Sequence, residues 1–369
     1  MEYDLFTDLI PYLGSIDTYH LSSVKRRFCR LIWNMTYLHH KTSHDIEDIS
    51  VFRNLERLKI DNNIHVGKLY TLTRLIELQT YSNHKLQESD LPSNLESLIL
   101  GYTEHIRNIS RLTRLTKLEA LDINDIVRAT QLLHLSMGGR INITSVDTLT
   151  NLTYLNMGNN SYIKNILCLV KLESLNISES SEFNNISGPT NLTYLCANWV
   201  RNILDVSQHT NLKELYIKGS ITKVDGVQHL TNLTCLDAAF NETIGRIDHL
   251  TNLTYLHLYN NKSVSHLGNL TNLTCLDISC CRNINCISSL TKLRCLNLTD
   301  DCGVTDICHL TNLKKLILNF NTVIKSIERL TNLEVLHIID NDNIQMEKVG
   351  DKYHSEGVSF PKLLEVIRK

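Results

Sequence analysis

The chain has 369 residues, of which 37 are basic and 39 acidic, and its formal net charge is −2. This balance argues against an extended basic face, so we do not expect nucleic acid as a main partner. No apolar run is long enough for a membrane span, and Met1 leads into Asp4 and Asp8 without a basic and then apolar leader. We therefore expect a cytoplasmic protein without membrane contact, whose eleven cysteines are free thiols.

The first forty residues differ in pattern from everything that follows. Apolar residues recur there at helical spacing in two stretches that are separated by Gly14. Gly14 suits the end of the first helix, and Asp17 or Thr18 can cap the second. We predict a small unit of two or three helices over residues 1–40.

The helical unit contains Asp8-Leu9-Ile10-Pro11-Tyr12-Leu13, followed by Asp17, Leu21, Val24 and Phe28. This pattern resembles the F-box motif. The resemblance implies docking onto the Skp-family adaptor of a cullin–RING ubiquitin ligase. The sequence departs from the motif at the usual Leu-Pro opening, where Phe6 and Thr7 stand, and Pro11 falls inside the first helix unless that helix begins near Thr7. A helical cap over the open end of the following repeats explains the same pattern. The residues that match adaptor-docking positions are Leu9, Ile10, Leu13, Ile16, Leu21, Val24 and Phe28.

A repeat of 20 residues occupies most of the chain. Each copy opens with Leu-x-x-Leu, and successive first leucines are 20 residues apart except for one step of 21 and one of 17, from Leu115 to Leu132. Such self-similarity indicates a solenoid, whose units bury their apolar edges against neighbours. Met35 lies one period before Leu55, so a degenerate copy is expected to begin there. The first leucines are Leu55, Leu75, Leu95, Leu115, Leu132, Leu152, Leu172, Leu192, Leu212, Leu233, Leu253, Leu273, Leu293, Leu313 and Leu333.

The clearest copy runs from Leu313 to Leu330. Its alternating Leu316 and Leu318 predict a strand with one buried face. Asn321 follows at position 9, counting the first leucine as position 1, where its amide can bond backbone groups that the turning strand leaves unpaired. Apolar residues then recur every third residue, which is typical of a 3₁₀-like or extended return. Position 9 also holds Asn63, Asn83, Asn160, Asn241, Asn261 and Asn341, with Cys281 and Asp301 in two other copies.

The pattern resembles leucine-rich-repeat proteins with short repeats, over residues 46–341. We therefore predict an α/β fold: a leucine-rich-repeat solenoid of about 15 repeats over residues 41–341, with a parallel sheet on its concave face. It is preceded by the F-box-like unit and followed by a cap over residues 342–369. The 17-residue step predicts either a kink or a shortened return segment. The Asn- and Ile-rich composition is also similar to F-box and repeat proteins of large DNA viruses of amoebae, which would imply a host cytoplasm.

Cysteine and histidine are the residues that could carry chemistry here. Seven cysteines crowd residues 275–308 at spacings that match no zinc framework. Cys235, Cys275 and Cys295 share one outward position of the repeat, and we interpret them as small apolar filler and surface thiols. No phosphate loop or catalytic motif occurs, so we expect no metal, no cofactor and no enzymatic activity. Histidines also recur directly before the last leucine of a copy, at His229, His249 and His309. Divergence of the copies from one ancestral repeat explains them more simply than a metal site does.

Aromatic residues mark a candidate binding surface. They stand at outward positions beside the inward strand leucines, where large rigid side chains offer contact area at low entropic cost. Glu214, Asp237 and Asp277 lie among them and favour a partner with basic groups. The alternative is that the rings stack across neighbouring strands and only stabilise the sheet. The candidates are Tyr154, Tyr194, Trp199, Tyr216, Phe240, Tyr255, His257 and Tyr259.

Two functions fit this sequence. In the first, the chain is the substrate-recognition subunit of a cullin–RING ubiquitin ligase: residues 1–40 dock the Skp-family adaptor and its cullin complex, and the solenoid binds an unknown substrate protein. In the second, it is a plain protein-binding scaffold with a helical cap. Binding of the adaptor separates the two.

Overall fold

A computed structural model describes residues 36–340 and Ile344, apart from 41–48, 51, 61–64, 67, 104, 122, 139–142, 184, 203, 221–222 and 301. The chain forms two compact units, Met1–Leu192 and Thr193–Lys369. In each unit the described repeats contribute one short strand apiece to a parallel sheet. The residues within these ranges contain no α-helix. Their 3₁₀ turns are Leu69–Thr71, Glu88–Asp90 and Val227–His229.

The first unit contains eight described strands, each pairing in parallel with the next along the chain. Leucines at the centre of each strand face inward, and their neighbours face outward. Leu58, Leu78 and Leu98 are in register with one another and almost fully buried. The strands are β1 (Tyr37–His40), β2 (Arg57–Ile60), β3 (Glu77–Ser82), β4 (Ser97–Tyr102), β5 (Lys117–Ala120), β6 (His134–Met137), β7 (Tyr154–Asn156) and β8 (Ser174–Asn176).

The second unit continues the same plan with shorter strands. Its main sheet has the order β9-β11-β13-β14-β15-β16-β17-β18. Leu256, Leu276 and Leu296 are in register on three neighbouring strands of this sheet. Two return segments form a separate small parallel pair, β10 with β12. The strands are β9 (Tyr194–Cys196), β10 (Leu204–Asp205), β11 (Glu214–Tyr216), β12 (Val224–Asp225), β13 (Cys235–Asp237), β14 (Tyr255–His257), β15 (Cys275–Asp277), β16 (Cys295–Asn297), β17 (Lys315–Ile317) and β18 (Val335–His337).

Position 9 acts as predicted, as a buried link between the turn and the preceding repeat. The Asn321 Oδ1 accepts hydrogen bonds from the N–H groups of Val323 and Ile324, at 3.1 and 2.9 Å. Its Nδ2 donates to the carbonyl oxygens of Leu298 and Asp300, at 2.9 and 3.2 Å. Because both groups of one amide are used, the turn is fixed at both ends. Equivalent donors bond the preceding repeat from Asn241, Asn261, Cys281 and, unforeseen in the sequence, Ser180 and Ser220.

Two further polar columns flank the first leucine of the repeat. The Asn252 Nδ2 donates to the Thr231 carbonyl at 2.9 Å, and the Thr254 Oγ1 donates to the Thr234 carbonyl at 3.1 Å. The recurring Asn-Leu-Thr triplet is therefore structural, because its amide and its hydroxyl each bond the previous repeat. The same asparagine bond is made by Asn151, Asn232, Asn272, Asn312 and Asn332.

The ends of the repeat array differ in part from the sequence prediction. The pairing of β1 with β2 confirms that a repeat begins near Met35, and it assigns residues 37–40 to the solenoid rather than to the helical unit. The strands β5 and β6 stay in register across the 17-residue step, so the shortening falls outside the strands. Residues 1–35, with all seven candidate adaptor-docking positions, lie outside the described residues, as does the 342–369 cap apart from Ile344.

Candidate protein-interaction surface

A column of left-handed residues runs along the edge of the second unit's sheet, at position 8. Each strand there turns away through one residue with positive φ, a conformation that suits Gly, Asn and Asp. Trp199, Phe240 and Phe320 adopt it with φ of 59°, 55° and 55°. A bulky residue held there costs on the order of 1 kcal/mol or more, and such strain often accompanies function. The other members in this unit are Gly219, Asn260, Cys280, Asp300 and Asp340.

Three rings form an aromatic rim at this edge: Trp199, Phe240 and Tyr259. The ring centroids of Trp199 and Phe240 are 6.1 Å apart, and those of Phe240 and Tyr259 are 4.8 Å apart in an edge-to-face arrangement. Gly219 makes this contact possible, because a Cβ at that position would lie 2.2 Å from the Trp199 indole. The Lys218 Nζ lies 5.9 Å from the centre of the Phe240 ring. Trp199 remains 47% exposed, so the rim presents an indole to solvent.

The aromatic residues on the strands themselves are less accessible. Tyr255 is only 8% exposed, because it lies in register between Cys235 and Cys275 of the two neighbouring strands. Tyr216 is half-buried beside this cluster and tilts against Tyr194, with ring centroids 5.5 Å apart. Tyr255 is therefore packed within the sheet rather than exposed, and its neighbours in register are thiols rather than rings. Of the expected apolar filler and surface thiols, Cys235, Cys275 and Cys295 are the filler, since they are 7%, 3% and 3% exposed in an apolar cluster.

His257 is the centre of a charged ladder across three strands. Its Nδ1 lies 3.2 Å from the Asp237 Oδ1, and its Nε2 lies 3.4 Å from the Asp277 Oδ2. Burial opposes the charge of His257, but the hydrogen bond to Asp237 and the charges of both aspartates outweigh it and raise the pKa of His257. Asn297 extends the ladder by donating to Asp277 at 3.0 Å. Two of the carboxylates that favoured a basic partner are therefore engaged within the sheet.

The residues predicted to form the binding surface do not all belong to one unit. Tyr154 belongs to the first unit, where it stacks on His134 with ring centroids 4.0 Å apart and planes within 2°. Glu214, the third candidate acid, accepts a hydrogen bond from the Tyr216 hydroxyl at 2.8 Å. The sequence analysis missed Phe320, which holds the same position 8 as Trp199 and Phe240 and is 48% exposed, but which lies outside the rim. Phe320 could have been recognised in the sequence as an aromatic residue directly before the turn asparagine, as Phe240 is.

Other kinds of site were sought in the described part of the chain. It holds no group of three or more His, Cys, Asp or Glu side chains placed to bind a metal ion. His249 instead contacts the Gln228 carbonyl oxygen through Nε2 at 2.7 Å. Within the same ranges, no helix has the length and apolarity that crossing a membrane requires.

Comparison with known proteins identifies the fold. No protein-family model matches the chain, and no curated protein matches it significantly. Among solved structures, a leucine-rich-repeat protein of Leptospira interrogans is similar over 93% of this chain and 100% of its own, with 20% identity and a TM-score of 0.60. The internalin InlF of Listeria monocytogenes is similar over 86% and 89%, with 25% identity and a TM-score of 0.53. The functional domain of InlJ from Listeria monocytogenes, described as including a cysteine ladder, is similar over 89% and 74%, with 19% identity and a TM-score of 0.51. The chain therefore has the fold of leucine-rich-repeat proteins.

Proposed function

We propose that the chain is a protein-binding scaffold that captures its partner on the aromatic rim of the second unit. One observation carries the proposal: Trp199 and Phe240 are held at left-handed backbone positions that suit asparagine or glycine. Selection for folding alone would favour those smaller residues there. An exposed indole, supported by two further rings, is the kind of anchor that dominates the binding energy of protein interfaces.

The form of the rim favours a protein partner. Trp199, Phe240 and Tyr259 pack against each other in one line, so they form a ridge rather than separate pockets. A ridge of this kind fits an apolar groove on another protein, which can desolvate the rings together. The buried cluster that contains Tyr255 stiffens the sheet behind the ridge. Few side chains therefore lose conformational freedom when a partner binds.

The test uses substitutions that remove the ring and relieve the backbone strain at once. Trp199→Asn and Phe240→Asn place a residue that tolerates positive φ, so we expect folding to be preserved and capture to fall at least about tenfold. Phe320→Asn is the matched control, since Phe320 has the φ of Phe240, 55°, and nearly the exposure of Trp199, 48% against 47%, but lies outside the rim. Proteins captured from a lysate by the full chain are quantified, and those lost with both rim variants are purified for affinity measurement. Equal capture by all three variants would place the partner elsewhere.

We further propose that this scaffold serves a cullin–RING ubiquitin ligase in the cytoplasm, with the captured protein as its substrate. The support is the F-box-like spacing of residues 1–40, directly ahead of the repeats. The competing proposal, a plain scaffold with a helical cap, needs no adaptor. Purified Skp-family adaptor should bind the full chain and lose binding on Leu21→Asp with Val24→Asp, because charges would enter an apolar interface. Trp199→Asn should leave that binding intact. Absence of binding to adaptors from plausible hosts would favour the plain scaffold.

A further inference from the structure

Two cysteines face each other on neighbouring strands of the second unit. Cys275 on β15 is in register with Cys295 on β16, and each is 3% exposed. Both belong to an apolar cluster with Cys235, Tyr255 and Ile317. The proposed partner binding makes no use of this pair.

The strand spacing determines what such a pair can bind. In-register side chains on parallel strands stack at the strand spacing, about 4.8 Å. A disulfide requires Cβ atoms about 3.5–4.5 Å apart, so the backbone would have to close up. Two metal–sulfur bonds of about 2.3 Å, the length of a zinc–thiolate bond, span roughly 4.6 Å in a line, which is close to the strand spacing. We propose that Cys275 and Cys295 form a two-coordinate site for a soft monovalent metal ion, of which Cu(I) is the biological example.

The choice of a soft monovalent ion follows from the ligands. Thiolates favour Cu(I), whereas zinc normally takes four ligands in a tetrahedron. Tyr255 separates Cys235 from Cys275 by a full strand, so Cys235 lies about 9.6 Å from Cys275 and cannot join the site. Tyr255 and Ile317 cover the pair with apolar surface and keep water from becoming a third ligand.

The surrounding charges match such a complex. Two thiolates and one monovalent cation carry one net negative charge, and Lys315 lies in register beside Cys295. Thiols bind metal ions as thiolates, so binding releases protons from the pair, and the affinity should fall as the pH falls.

The site can be tested with Cu(I) itself on the full chain. Cys168→Ser and Cys286→Ser first remove two exposed thiols that would bind the ion elsewhere. The reduced, oxygen-free protein then competes for Cu(I) with a chromophoric chelator, and X-ray absorption counts the sulfur ligands. We expect one tightly bound ion with two sulfur ligands. Cys275→Ser and Cys295→Ser should each weaken its binding at least about a hundredfold.

The matched control is Cys235→Ser, which alters a thiol of the same cluster and the same repeat position. It should keep the tight site. If either serine variant fails to fold, Cys275→Ala and Cys295→Ala take its place, and the readout is whether Cu(I) raises the melting temperature. The proposal is overturned if the background protein binds no Cu(I) tightly, if binding survives loss of Cys275 or Cys295, or if Cys235→Ser weakens it equally. A disulfide between Cys275 and Cys295 that forms in air and abolishes uptake would also overturn it, by contradicting the spacing argument.

Discussion

At the scale of single residues, the fold depends on polar side chains that use all of their hydrogen-bonding groups. The Asn261 Oδ1 accepts from the N–H groups of Ser263 and Val264, both at 3.0 Å, while its Nδ2 donates to the carbonyls of Ala238 and Asn241. One of these partners, the Ala238 carbonyl, also accepts the N–H of Asn241 at 3.2 Å. A buried amide is tolerated here because leaving those backbone groups unpaired would cost more.

Asn261→Ala should therefore destabilise the protein by about 3 kcal/mol, because it removes the hydrogen bonds of the amide to the N–H groups of Ser263 and Val264 and to the Asn241 carbonyl. Asn252→Ala is the matched control in the same repeat. It removes one hydrogen bond at an exposed position, so we expect less than about 1 kcal/mol. Urea unfolding of the two variants checks the prediction. Equal losses would mean that burial of the amide is not what matters.

His257 gives the protein a pH dependence. Its pKa is raised in the folded state, so its bonds to Asp237 and Asp277 contribute fully below the unfolded value of about 6.5. That contribution is lost as the pH rises through the folded pKa. The stability difference between wild type and His257→Gln should thus be larger at about pH 5.5 than at about pH 8.5. An NMR titration should give His257 a pKa above about 6.5 that Asp237→Asn lowers. A difference that grows with pH would contradict this account.

At the scale of elements, the sequence was enough to predict the strands, the turn and its asparagine. The positions of Leu316, Leu318 and Asn321 recur at fixed spacing, although the asparagine is replaced in several copies, for example by Ser180, Ser220 and Cys281. The burial of Tyr255 could not be predicted, because it depends on which side chains stand 20 residues away on either side. The charged ladder of His257 could not be predicted for the same reason, since strand pairing places one aspartate on each side of the histidine. Left-handed Trp199 and Phe240 oppose local preference, and the tertiary stack holds them there.

Within one strand, the inward leucine carries the packing. Leu256 is fully buried at the centre of β14, so Leu256→Ala should cost roughly 2–5 kcal/mol through lost contacts and a residual cavity. Because β14 contacts only β13 and β15 in the sheet, amide exchange should quicken mainly in those three strands. Hydrogen exchange read by mass spectrometry resolves the segments. A uniform increase along the whole chain would count against a quasi-linear array.

At the scale of the whole molecule, each unit is a sum of similar neighbouring pairs. In the second unit, every strand of the main sheet pairs with the strand of the repeat before or after it. No described strand there joins distant repeats. Stability should consequently be built from repeat terms and interface terms between neighbours. This arrangement lets one stretch carry strained aromatics at the rim while the repeats beyond it keep regular packing.

Double substitutions test this additivity directly. Leu256 and Leu276 are in-register neighbours, so their alanine variants share one cavity region and should couple by about 0.5 kcal/mol or more. Leu316 lies three strands from Leu256, roughly 14 Å away, so Leu256→Ala with Leu316→Ala should add within about 0.5 kcal/mol. The free energy of unfolding in urea is compared for the three single and two double variants. Coupling of the distant pair as strong as that of the neighbours would show that the second unit behaves as one globular core, because only a shared core transmits a cavity across two intact repeats.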